Sequence, residues 1–138
     1  VVTVGDTSVV VPALVPSHPF HAAAASALED TTDVVAHTLL EAYATLTRLP
    51  EPARVPPAVA ATLLERRFSG KVLTLPASEH RRLLRALAGG GVRGAATHDA
   101  LIAATARHAG ARLVSLDRRA LPTYAAVGAD VSLLAPRT

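Results

Sequence analysis

This 138-residue chain contains no cysteine. Disulfide scaffolds, thiol catalysis and Cys-ligated zinc are therefore excluded. Aromatic residues are scarce: only Phe20, Tyr43, Phe68 and Tyr124. A stacking platform for single-stranded nucleic acid wants more than that. Lysine is nearly missing too, since Lys71 stands alone among 14 basic residues and arginine supplies the rest. No apolar run approaches the roughly 18 residues of a membrane span. No basic region precedes the apolar N-terminal stretch, so we expect no signal peptide. We expect a soluble cytoplasmic domain.

What the chain does have is apolar bulk. Half of its residues are hydrophobic, only 18% are charged, and the mean hydropathy is +0.33. That composition supports a real core and argues against intrinsic disorder. The length fits one domain, 1–138. Net charge is +3 and the pI is near 10.2, which permits an anionic partner without proving one. So apolar a composition also predicts self-association or a partner interface.

Short β-branched runs alternate with helical patterns. Residues 1–4, 34–36, 72–75, 112–116 and 131–134 read as short buried strands. Residues 8–14, 19–29, 39–49, 57–68, 78–87 and 98–109 read as helices, with Pro12 and Pro57 expected in first turns. Such alternation implies a parallel sheet covered on both faces. The Gly89-Gly90-Gly91 run lacks the spacing and the Lys-Ser/Thr of a P-loop. One glycine after the first strand is too few for a dinucleotide fingerprint.

Four acids fall where an open α/β sheet places its ligands, beyond the carboxyl ends of its strands. Asp6 follows strand one, Asp117 follows strand four, Glu41 lies in the first turn after strand two, and Asp99 starts the helix before strand four. Each also has a plain structural reading. Asp6 can cap a helix. Thr38-Leu39-Leu40-Glu41 is a formal capping box. Asp99 can answer the helix dipole, and Asp117 can make an Asx turn. Their joint placement is the stronger signal. Carboxylates brought together cannot all stay ionised without a counter-charge, and oxygen ligands suit Mg²⁺ or Mn²⁺. Such a site suits phosphoryl chemistry.

The strings Val4-Gly5-Asp6-Thr7-Ser8, Leu40-Glu41-Ala42-Tyr43, His98-Asp99-Ala100-Leu101-Ile102-Ala103-Ala104 and Leu113-Val114-Ser115-Leu116-Asp117 resemble the PIN-domain ribonucleases. They look most like the VapC toxins of bacterial toxin–antitoxin pairs. The resemblance spans nearly the whole chain. It implies a three-layer α/β/α PIN-like fold with a parallel five-stranded sheet of order 3-2-1-4-5. It implies hydrolysis of RNA phosphodiester bonds at four acids around Mg²⁺ or Mn²⁺. Asp6 and Asp99 would ligate directly, Glu41 would hold or activate water, and Asp117 would support the site or a second ion. Thr7, Ser8 and Ser115 would orient the carboxylates. Homodimers and a small VapB-type antitoxin that covers the site are further implications.

Other features weigh less. Arg93, Arg118, Arg119 and the Arg81, Arg82, Arg85 face could meet phosphate, but solvated arginines are the commoner explanation. His98 abuts Asp99, yet helix neighbours point apart, so a peripheral role is expected. His18 and His21 show no second ligand set, so zinc is not expected there. A groove for an antitoxin segment could form from 8–14, 19–29 and 39–49. The alternative function is a catalytically silent PIN-fold binding module. A receiver domain fails because Leu75-Pro76-Ala77 follows strand three without an acid and no lysine follows strand five. A dehalogenase-type phosphatase fails because Ser8 stands where its second aspartate would be.

Overall fold

The computed structural model describes residues 1–134, so the last four residues of the expected domain lie outside the described ones. Five short strands run parallel: β1 (Thr3–Gly5), β2 (Val34–Val35), β3 (Val72–Leu73), β4 (Arg112–Ser115) and β5 (Val131–Leu133). β1, β4 and β5 form one ladder in that order, with Gly5 opposite Val114 and Ser115 opposite Leu133. β2 and β3 form a second ladder, with Val35 opposite Leu73. β1 and β2 lie side by side, but no ladder joins them among the described residues. Hydrogen bonding thus gives two groups where the resemblance implied one continuous sheet of order 3-2-1-4-5. The adjacency of β1 and β4, on which the site argument depends, is present.

Helices cover both faces: α1 (Thr7–Leu14), α2 (His21–Ala27), α3 (Ala36–Leu46), α4 (Pro57–Arg67), α5 (Ala77–Gly89), α6 (Ala96–His108) and α7 (Leu121–Ala126). Successive strand residues point to opposite faces, and the two cores divide accordingly. Val34 and Val114 pack with α1, α2, α3 and α4, while Val35 and Leu113 pack with α5, α6 and α7. This is the three-layer α/β/α class that the resemblance implied.

Several expected boundaries move, each for a physical reason. Pro12 sits near the end of α1 rather than in its first turn. In so short a helix its missing N–H removes only one intrahelical bond. α3 springs straight from β2, with Val35 at the N-cap position and no side-chain cap. Glu41 is therefore mid-helix and the Thr38–Glu41 capping box does not form. Likewise α6 starts at Ala96, which puts Thr97 inside the helix rather than at its cap. β3 and β5 are only partly buried, because each lies on the side of its ladder away from the adjoining β1 and β2. α7 has no counterpart among the expected helices. The helices expected to line a groove turn one face to a core, where Val9, Val10, Val11, Ala24, Leu28, Ala42 and Leu46 are buried together, while Leu40 and Tyr43 of α3 are exposed.

Two glycines fix the path of the chain into and out of its helices. A Cβ on Gly5 would stand 3.3 Å from Leu28, Val10 and Val9, a tight contact that glycine avoids where β1 delivers Asp6 against the helices. Gly110 adopts φ +70 and stops α6, with the Ala111 amide donating back to the Ala106 carbonyl at 2.9 Å. That left-handed stop feeds the chain directly into β4.

Candidate active site

Asp6 is delivered by the end of β1 and is 3% exposed. Its amide extends the ladder by donating to the Val114 carbonyl at 3.1 Å. Its carbonyl accepts the Val9 and Val10 amides, so it starts α1, but its carboxylate makes no capping hydrogen bond. Both carboxylate oxygens accept hydroxyls instead. Ser8 Oγ donates to Oδ1 and Tyr124 Oη donates to Oδ2, each at 2.5 Å. Burial pushes the Asp6 carboxyl up, and the hydroxyls of Ser115, Ser8 and Tyr124 draw it partly back. The Tyr124 hydroxyl is in turn pushed far up by its burial, by the Asp6 charge and by its hydrogen bond to Asp6.

The serines tie this corner to the end of β4. Ser8 Oγ accepts the Leu116 amide at 2.8 Å and lies 3.4 Å from Ser115 Oγ. Ser115 Oγ accepts the Asp117 amide at 3.0 Å. Asp117 caps the 3-10 turn Arg118–Ala120, its carboxylate accepting the Arg119 amide at 3.0 Å. The Asx-turn reading of Asp117 is therefore correct, and it also aims the carboxylate at the same edge.

Glu41 projects from the middle of α3, half-buried, and accepts Thr7 Oγ1 at 3.0 Å. This bond spans the start of α1 and the face of α3. Asp99 lies in the first turn of α6, where the helix dipole favours an anion. Its carboxyl is nonetheless raised to about 6 by burial and by the charges of Asp6, Glu41 and Asp117, with His98 opposing. Asp99 thus feels three carboxylates carried by three other segments of the chain.

The donor set fits a hard divalent cation. It is all oxygen and mutually repulsive; Asp6 and Glu41 are held by hydroxyl donors and Asp117 by the Arg119 amide, rather than by short arginine or lysine salt bridges. The nearest such pair is the Asp117–Arg119 contact at 3.6 Å, and Arg119 is almost wholly exposed.

Two residues of this corner escape a reading of the sequence. Tyr124 stands there only as a rare aromatic, because nothing in its spacing links it to Asp6, 118 positions away. His37 stands four residues before Glu41, a legible helical spacing, and its Nε2 lies 3.0 Å from His98 Nδ1. Arg81, Arg82, Arg85, Arg93 and Arg118 are all exposed.

The PIN domain family profile matches residues 4–126. The chain is 40% identical over 129 residues to ribonuclease VapC40 of Mycobacterium tuberculosis, in strains CDC 1551 / Oshkosh and ATCC 25618 / H37Rv, covering 94% of this chain and 96% of each relative. It is 39% identical over 131 residues to ribonuclease VapC27 of strain H37Rv, covering 94% of this chain and 95% of that protein. No solved structure matches. A family profile over most of its length, curated relatives of equal span, and four acids at one strand edge agree: this chain belongs to the PIN-domain family, among its VapC-type members.

Proposed function

We propose that this chain, as one PIN-like domain over residues 1–138, is a VapC-type ribonuclease toxin that hydrolyses RNA phosphodiester bonds with Mg²⁺ or Mn²⁺. What carries the reading is the PIN profile over residues 4–126 together with Asp99 at the start of α6, whose carboxyl is raised by its burial and by the charges of Asp6, Glu41 and Asp117. A cluster strained in that way gains most from a divalent ion. Asp6 and Asp99 are the direct ligands, Glu41 holds or activates the attacking water, and Asp117 supports the site or a second ion. The bound ion supplies Lewis-acid stabilisation of the phosphate and a more acidic water.

The remaining work belongs to the chain. Ser8 and Tyr124 lock the Asp6 carboxylate from both sides, so it meets the cation without rearranging. Thr7 fixes the Glu41 carboxylate, leaving its second oxygen to take the proton of water. Ser115 holds the backbone of Asp117 in its turn. Being acidic, the cleft is closed most simply by a basic side chain, so a VapB-type antitoxin inhibits by placing arginine or lysine among the carboxylates. The apolar composition favours a homodimer, and the absence of any helix long and apolar enough to cross a membrane among the described residues is compatible with a cytoplasmic site.

The test is cleavage of total RNA by the purified chain, with the ends mapped. Mg²⁺ or Mn²⁺ should support cleavage, and EDTA or Asp99→Asn should abolish it. Cleavage that persists in EDTA would refute the metal-dependent reading.

A further inference from the structure

α3 and α6 bring a second, chemically different ligand set to the rim of the carboxylate cluster. His37 and Glu41 are one turn apart on α3, and His98 comes from the first turn of α6. His37 Nε2 and His98 Nδ1 are 3.0 Å apart, and the ring planes are within 3° of parallel. One ligand atom from each of His37, Glu41 and His98 lies within 4.8 Å of the others. His98 is exposed and the other two are half-buried, so the trio opens to solvent.

Two imidazole nitrogens this close form an N–H···N hydrogen bond, one ring donating its proton to the lone pair of the other. A metal ion can take the place of that proton and bind both lone pairs. Two zinc–nitrogen bonds of about 2.05 Å at a tetrahedral angle separate the nitrogens by about 3.3 Å. The observed separation is a few tenths of an ångström short of that value, and the two rings, whose nitrogens face each other nearly head-on, must each tilt by about 35° to aim their lone pairs at one tetrahedral ion. Glu41 adds an oxygen, and the open side leaves a position for water. Two imidazoles and one carboxylate suit zinc and its first-row neighbours, whereas Mg²⁺ prefers oxygen alone. The negative charge of the adjoining acids raises the local concentration of any cation.

We propose that His37, Glu41 and His98 form a transition-metal site of zinc type, contiguous with the four-carboxylate cluster through Glu41 but distinct from it in ligand chemistry. Its existence does not depend on ribonuclease activity, and its test reads metal binding alone.

The test is calorimetric titration of the untagged chain with Zn²⁺ in excess Mg²⁺, paired with Co²⁺ titration read by visible absorption. We expect one equivalent of Zn²⁺ to bind at micromolar concentration, with Co²⁺ giving the bands of a nitrogen-ligated ion. His37→Gln and His98→Gln should each weaken binding by roughly tenfold or more. His108→Gln, beside Glu79 and away from the cluster, should leave it unchanged. His98 is exposed, so its variant keeps the test valid even if His37→Gln perturbs folding. The proposal is overturned if no Zn²⁺ binds, if affinity survives both substitutions, or if binding is lost only in Asp6→Asn, which would place the ion among the carboxylates.

Discussion

Tyr124 is the side chain whose removal separates holding a carboxylate from merely having one. Its hydroxyl is the buried partner of Asp6 Oδ2, and Phe would leave that oxygen with one hydrogen bond fewer in a site 3% exposed. Hydrogen bonds to charged groups are worth about 1.5–3 kcal/mol. Tyr124→Phe should lower stability by about that much and push the Asp6 carboxyl further up. Calorimetry should show weaker Mg²⁺ binding; unchanged Mg²⁺ affinity would make Tyr124 a packing residue only. Asp99 gives the opposite sign of effect. Its folded carboxyl titrates at about 6, above the ordinary value near about 3.9 for an unfolded aspartate. The folded state therefore holds this proton more tightly. The resulting stabilisation is full below about pH 4 and is lost as pH rises through about 6. Without metal, urea midpoints should fall across that window. Asp99→Asn should flatten the decline and raise stability at neutral pH by about 1–2 kcal/mol, a figure discounted for partial solvent screening. A midpoint that rises with pH in EDTA would contradict the arrangement of the cluster.

α3 shows how an element can be correctly placed and wrongly started. Its Thr38 is fully buried, and its hydroxyl is the only buried side-chain polar atom without a partner among the described residues. As a cap it would have been bonded; inside the helix it faces the core. Thr38→Val keeps the shape and removes the unsatisfied group, so stability should rise by about 1 kcal/mol in denaturant titration. A loss of stability would show that the hydroxyl has a partner. The same helix explains which parts of the site were legible. Asp6 and Asp117 could be found because a β-branched run that ends in an acid marks a strand edge. Glu41 and Asp99 needed only the right helix, not its right first residue. α7 escaped because six residues following a 3-10 turn are too short for a 3.6-residue period to show. With α7 went Tyr124, whose role depends on tertiary contact alone. The ladder break between β1 and β2 was equally invisible, since hydrogen bonding between two- and three-residue strands is set by packing rather than pattern.

At the scale of the whole molecule, the charges separate into an acidic edge and an arginine-rich exterior. The chain carries a net charge of +3, yet its carboxylate cluster is locally negative enough to raise Asp99. On the proposed reading, the scissile phosphate of RNA enters the acidic edge beside a cation, and exposed arginines hold the flanking backbone. Two arginine sets compete for that duty. Arg118 and Arg119 are exposed on the turn immediately after Asp117, whereas Arg81, Arg82 and Arg85 lie along α5 with their side chains turned outward. Proximity to the carboxylates favours the first set. Each phosphate contact releases counterions, so log kcat/KM for RNA cleavage should fall linearly with log salt. Replacing both Arg118 and Arg119 with Gln should raise KM, leave kcat nearly unchanged, and make the salt slope shallower by up to about 2. Replacing the three α5 arginines with Gln should alter neither KM nor slope, because those side chains are exposed and none adjoins one of the four acids in the chain. If the two sets exchange these effects, RNA runs along α5, and the cleft must be entered from that side of the sheet.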